Sequence, residues 1–449
     1  MSESGDPQPT ADRQPHRTRT RQRPWVAIAI FVIGTAVLAR AQQYYGALLR
    51  GWDAQFYYAA AHSLVFDRDI DISNNLAATP FAAPFDRDED GYFEAVVRNA
   101  NGRIISRYPI GLSLIEVPPL ALGRAVRSGL AAIGVVSARP PGYSDVEIWA
   151  VALGLLFVFA IGGQLLHDVM RPYVPAPWRE VALLAAWWGT SLLYYSSVFP
   201  FTPHAVGFAL LVWAVWIAAA IGAGSSSARR LWLLGFALGA LYLVRQQQVL
   251  VILPLLLVLA PLRSRPARLW VGWALAGIGT LLAVIAFQTW IHAHLAEGWS
   301  ADLTRAAKFH WSDPDFWTVL LSPSRGLFWV CPVVALAAVG FVTTPARAVP
   351  RPFAVFALHG LLQIFVIASW AMPDQADSFG IRMWSECSAA AACGLGLLYL
   401  RRSASAKLLI TAAVAACVAW TNRLLMLYVS GALPLGISYA ECLRLVFRR

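Results

Sequence analysis

The sequence predicts an all-α polytopic membrane protein, with about eleven transmembrane helices and a long first extracytoplasmic loop. Three observations lead there. The 449 residues are 58% hydrophobic and only 14% charged, whereas soluble domains carry about 25% charged residues. Apolar runs near the ~20 residues that cross a bilayer recur along the chain. The net charge of +11 comes almost entirely from Arg, and Arg collects in short segments between those runs, as cytoplasmic loops do. The basic balance is therefore read as topology, with no nucleic-acid partner. The alternating strands of an outer-membrane barrel are missing from the sequence.

Spans are expected near 24–40, 145–168, 180–198, 204–222, 231–244, 248–262, 269–290, 326–343, 353–371, 386–400 and 407–430. Residues 1–23 are polar and Arg-rich and read as a disordered cytoplasmic tail ahead of one transmembrane domain, 24–449. Ala39-Arg40-Ala41 fits a signal-peptidase site, but an uncleaved first span agrees with the later topology. Arg171 to Arg179, Arg229-Arg230, Arg263 to Arg268, Arg347 to Arg351 and Arg401-Arg402 with Lys407 mark the cytoplasmic side. Alternation then places 41–144, 199–203, 291–325 and 372–385 outside.

Between Arg230 and Arg263 both flanks are basic. Two short helices that turn back at Arg245-Gln246-Gln247-Gln248 satisfy that sign, and irregular backbone at such depth has to be buried in protein or line a cavity. Within 41–144, Asp53 to Val65 reads as a helix, and Gly91 to Tyr108 as a small β-hairpin turning at Asn99 to Gly102. Residues 109–126 are apolar but contain Glu116 and Pro118-Pro119. They are expected as a helix lying on the outer surface, because a full span would invert every later loop. The five Cys lack C-x-x-C spacing and read as small core residues.

Asp53 stands out as an acid just past the first span, in the stretch GWDAQFYY. It fits a helix N-cap worth about 1 kcal/mol, although Phe56 occupies the place a capping box gives to Glu or Gln. It also fits a general base, with Tyr57 one turn further on the same helix face. Arg245, Arg325 and Arg382 run against the positive-inside bias, and guanidinium forks suit phosphate. Arg305 and Lys308 read as solvated loop residues. His204 sits at the mouth of a span, and Tyr57, Tyr58, Gln246 and Trp384 are further candidates to line a substrate. His292 and His294 would not share a helical face, so no metal pair is expected there. Asp67-Asp69-Asp71 and Asp86-Asp88-Asp90-Gly91 have D-x-D spacing, but Val97 stands at the twelfth position of the second, where a calcium loop needs Glu. The assignment is no metal and no cofactor, with a divalent ion as the weaker alternative.

The order of several segments carries a resemblance. A first span is followed by GWDAQFYY, SLVFDRDIDISNN and a hairpin ending RYPIG; later come GFALGALYLVRQQQVLVILP, SPSRGLFWVCP and SFGIRMW. This succession is similar to the GT-C glycosyltransferases, the polytopic enzymes that include protein mannosyltransferases and the aminoarabinose transferases of lipid A. The resemblance implies an integral enzyme of a bacterial plasma membrane with its N-terminus cytoplasmic and its active site on the periplasmic face. It implies a polyprenyl-phosphate-sugar donor in the bilayer, a glycan, lipid or protein acceptor, Asp53 as base and the arginines as phosphate ligands. Many members carry an adjacent acidic pair where this chain has Asp53-Ala54. A transporter or lipid flippase, and a non-catalytic scaffold of an envelope-polymer complex, also fit the spans.

Overall fold

A computed structural model describes residues 24–78, 96–98, 104–106, 108–135, 142–224, 227–259, 267–296, 309–375 and 378–448. Helices carry the architecture. The first half contains α1 (Trp25–Tyr45), α2 (Trp52–His62), α3 (Ser73–Ala78), α4 (Gly111–Ala132), α5 (Asp145–Met170), α6 (Trp178–Trp188), α7 (Pro203–Gly222) and α8 (Ala228–Val244). The second contains α9 (Ile252–Leu259), α10 (Ala267–Ala296), α11 (Phe316–Leu321), α12 (Leu327–Val330), α13 (Pro332–Thr343), α14 (Arg351–Ala368), α15 (Ser388–Tyr399), α16 (Ala404–Val429) and α17 (Tyr439–Phe447). Five of them, α1, α5, α7, α14 and α16, are long and apolar enough to cross a membrane.

Other expected spans are interrupted. The run 326–343 is split into α12 and α13 at Cys331, because Pro332 has no N–H with which to continue the helical ladder. The run 180–198 is α6 followed by a π-helical turn, Tyr194–Val198. At the start of α5, the Ser144 amide and hydroxyl both donate to the Glu147 carboxylate, at 3.1 and 2.7 Å, a reciprocal cap that fixes where this apolar helix begins.

Residues 111–126 form most of α4, which packs antiparallel along α5. A Cβ on Gly154 would fall 2.7 Å from Pro119, and one on Gly123 would fall 2.9 Å from Ala150. The cause lies in one stripe of α4: Leu112, Glu116, Leu120 and Gly123 are all buried. Glu116, read in the sequence as a polar signal, is on the inner face. Val96–Arg98 and Ile104–Ser106 pair antiparallel with Val97 opposite Ile105; the turn expected at 99–102 lies outside the described residues, as does the tail 1–23.

The break at Arg245 has the expected geometry. α8 ends at Val244, Arg245 is extended, and a 3-10 turn, Gln246–Val251, leads into α9. A Cβ on Gly222, at the end of α7, would lie 2.5 Å from the Val258 carbonyl oxygen. α9 thus finishes beside the end of α7 from which α8 departs, so the chain turns back at Arg245. The turn is buttressed by α14. Gln363 donates to the Gln247 carbonyl at 2.9 Å, and His359 Nε2 lies 2.7 Å from Gln248 Oε1. These contacts satisfy backbone and side-chain groups that the broken helix leaves open.

Backbone contact without intervening side chains joins α13 to α15, where a Cβ on Gly340 would fall 1.9 Å from the Gly394 carbonyl oxygen. Small residues at such crossings let helices approach closely enough for dispersion to hold them. Gly340→Val is expected to destabilise the fold by about 1–3 kcal/mol through overpacking. Thermal unfolding of the purified protein in detergent measures this. An unchanged midpoint would mean that the two helices separate without cost.

Candidate functional site

Asp53 is not the cap of α2. Gly51 holds that position, and Asp53 lies in the first turn. Every residue of α2 from Ala54 to His62 is buried. Asp53 therefore emerges from a packed helix N-terminus, where the free N–H groups and the helix dipole favour an anion. Its two oxygens have distinct partners. Oδ1 accepts the Tyr108 hydroxyl at 2.7 Å, and Oδ2 accepts Arg382 Nη1 at 2.9 Å.

Tyr108 reaches Asp53 from the end of the strand pair. Its ring is fixed by packing on Phe56 and Tyr57, with centroids 5.8 and 5.0 Å away. Tyr57 is buried and contributes through this contact. Arg382 opens a 3-10 turn, Arg382–Cys387, ahead of α15. Gln375 accepts the Met383 amide at 2.9 Å, and the Trp384 indole donates to the Gly360 carbonyl at 3.2 Å. Trp384 is thus an anchor of the turn that aims Arg382.

Burial works against the charged form of Asp53, but Arg382 beside it and the Tyr108 hydroxyl outweigh burial. The carboxyl is held below its ordinary value. Burial, and then the neighbouring Asp53 charge, push the Tyr108 phenol well up. Burial opposes the Arg382 cation, yet Asp53 more than compensates and its pKa rises. All three keep their ordinary protonation states near neutrality.

A second set of charges adjoins the first. Glu386 is fully buried, and its Oε1 lies 3.0 Å from His204 Nδ1 and 3.2 Å from Arg245 Nε. His204 is in the first turn of α7 and packs on Tyr195 at 4.6 Å between centroids. His204 and Arg245 both act electrostatically on Asp53. The two sets thus form one cluster of two carboxylates, two guanidiniums, an imidazole and a phenol, assembled from five separate stretches of chain. Gln246 is half-buried in the turn beside Arg245.

Two further expected members are held by other contacts, although Arg325 and Arg382 both act electrostatically on Tyr195. Arg325 is buried, but it donates to the Ser324 carbonyl at 2.9 Å and places its guanidinium 5.2 Å from the Tyr428 ring. It faces α16 because the turn before α12 points it there. Tyr58 donates to the Gly142 carbonyl and packs on Tyr143 and Phe201; it is a core residue on the far side of α2. Tyr108 and Glu386 were not singled out from the sequence. Glu386 had a usable signal, as an acid at the start of the apolar run 386–400, where an ionisable group marks function by default.

Among the described residues no group of three His, Cys, Asp or Glu could hold a metal ion. The Asp67-Asp69-Asp71 cluster is spent on its own loop. Asp67 accepts Asn75 at 2.8 Å, Asp69 accepts the Ser63 hydroxyl at 2.5 Å, and Asp71 accepts the Ser73 amide at 3.0 Å. Asp86 to Gly91, Arg305 and Lys308 lie outside the described residues.

Beside the charged cluster runs an apolar groove of about 760 Å³ between α4, α8 and α10, lined among others by Leu114, Phe236, Leu243, Val244, Val284 and Phe287. Leu243 and Val244 line it and immediately precede Arg245, while the charged side chains themselves are not part of its lining. The chain matches no protein-family model, and no curated protein matches it.

Proposed function

We propose that this chain is a membrane glycosyltransferase of the GT-C kind. It transfers a sugar from a polyprenyl-phosphate donor to an acceptor hydroxyl at the outer face of a bacterial plasma membrane. The observation that carries the reading is the juxtaposition of Asp53, Arg382 and Arg245 with the apolar groove. A lipid phosphate has this same division, a hydrocarbon tail joined to an anion. A soluble nucleotide sugar would have no use for such a groove.

In the proposed reaction Asp53 takes the proton of the acceptor hydroxyl. The oxygen attacks the anomeric carbon from the face opposite the phosphate, and the bond from that carbon to the phosphate oxygen breaks with inversion. The electron pair leaves on polyprenyl phosphate, whose charge Arg382 and Arg245 stabilise. General-base help contributes about 10²–10⁴ in rate, and fixed cations at the developing charge contribute at least as much. The lipid tail lies in the groove between α4, α8 and α10. The reading needs no cofactor.

Two measurements test it. Protein reconstituted with polyprenyl-phospho-sugars is expected to give a glycosyl product; ion-coupled uptake with no product would make it a transporter. Arg245→Gln is expected to weaken donor binding about tenfold, as loss of one charge-assisted contact does, and to leave acceptor binding unchanged. Unchanged donor affinity would reduce Arg245 to an ion-pair partner of Glu386.

A further inference from the structure

The proposed reaction employs Asp53, Arg382 and Arg245 but gives Glu386 no task. Glu386 is an expensive residue to keep. It is completely buried, and its Oε2 makes no hydrogen bond among the described residues. A carboxylate taken out of water in this way persists only with close positive partners. Its partners are chosen narrowly, because one oxygen, Oε1, serves both Arg245 Nε and His204 Nδ1.

The consequence is geometric. A guanidinium is a planar fork, and Glu386 Oε1 faces its Nε side at an ion-pair distance of 3.2 Å, without the alignment of a hydrogen bond. The edge formed by its terminal nitrogens is then left for another ligand. Arg245 Nε and Nη2 are both buried and donate no hydrogen bond among the described residues. Space for this arrangement comes from Gly207, one turn after His204. A Cβ there would fall 2.9 Å from Glu386 Cγ and 3.6 Å from Arg245 Cγ. Ala54, fully buried, offers no carboxylate next to Asp53. The second carboxylate of the cluster comes instead from Glu386, far along the chain.

We propose that Glu386 is the positioning residue of the donor-phosphate site: itself held by His204, it draws the Nε side of Arg245 to it by ion pairing, so that the far edge of the guanidinium fork receives an anionic phosphate. This rests on the polyprenyl-phosphate reading above. Glu386 does not touch the phosphate, which it would repel. It acts through Arg245, and its removal should therefore cost phosphate recognition specifically.

The experiment uses the full-length protein in detergent, titrated with farnesyl phosphate and, as the phosphate-free control, farnesol. Wild type is expected to bind farnesyl phosphate more tightly than farnesol. Glu386→Gln is expected to lose about tenfold of that preference, Arg245→Gln a similar amount, and the double variant no more than either alone, as residues acting as one unit do. Farnesol affinity should not change, whereas a merely structural loss would lower both. Glu386→Gln with the preference of wild type would overturn the positioning role and leave the donor reading standing. Wild type that binds both compounds equally would overturn the donor reading and this inference with it. Gly207→Ala, which crowds Glu386 without altering any charge, covers the case in which Glu386→Gln does not fold. It should lose part of the same preference, and full retention would count against the proposal.

Discussion

Asp53→Asn is expected to abolish transfer from a polyprenyl-phospho-sugar, a loss of at least about 10²-fold, while the protein remains folded and inserted. Asn has the shape of Asp and keeps an oxygen for the Tyr108 hydroxyl. It has no charge for Arg382 and no basicity for an acceptor proton. The Asp53 side chain is 21% exposed, so the ion pair contributes modestly to stability, and its loss should not unfold the chain. Product formation by mass spectrometry, alongside a thermal midpoint, separates the two effects. Near-normal turnover in Asp53→Asn would remove Asp53 as the base.

The pH dependence has a definite sign. Burial raises the Asp53 pKa, but Arg382 and Tyr108 outweigh it and hold the group below its ordinary 3.8. A carboxyl depressed on folding stabilises the native state above its ordinary value and loses that contribution as pH falls through the depressed one. The stability gap between wild type and Asp53→Asn should therefore persist at neutral pH and close only in strong acid.

The sequence made the helical class, the break at Arg245 and the prominence of Asp53 legible, because each depends on local signals: apolar run length, a Gln-rich interruption, an acid beside a span. It left the burial of Glu116 open, since Glu116 on an inward stripe looks the same in sequence as Glu116 on a wet one. The contacts of Arg325 and Tyr58 are illegible for a related reason. Both residue types suit a site, but which way a turn or a helix points them is a tertiary matter. Tyr108 and Glu386 join Asp53 and Arg245 only across long sequence separations, 55 residues in the case of Tyr108. No spacing rule relates Glu386 to His204, 182 residues away. The pairings that make the cluster are long-range, and so they become visible only in the fold.

Arg382→Gln is the second large effect expected, a fall in kcat of about 10²–10³, the size seen when one preorganised donor to a developing anion is removed. Two losses combine. The leaving phosphate loses a guanidinium, and Asp53 loses the partner that fixes it toward the acceptor. A carboxylate held down by a cation is a weak base until the cation is drawn to another anion, and in the proposed reaction the donor phosphate is that anion. Arg382→Gln should accordingly raise the Asp53 pKa, and residual activity should acquire an acid limb at higher pH than wild type shows. Arg382→Lys keeps the charge but not the fork, and should fall between the two. The coupling is what identifies the pair. Asp53→Asn combined with Arg382→Gln should be slower than Asp53→Asn but by less than the full Arg382→Gln factor, because the part of that factor that acts through Asp53 is already lost. Fully multiplying losses in the double variant would mean that Arg382 acts on the phosphate without orienting Asp53, and unchanged kcat in Arg382→Gln would leave it only a salt-bridge partner.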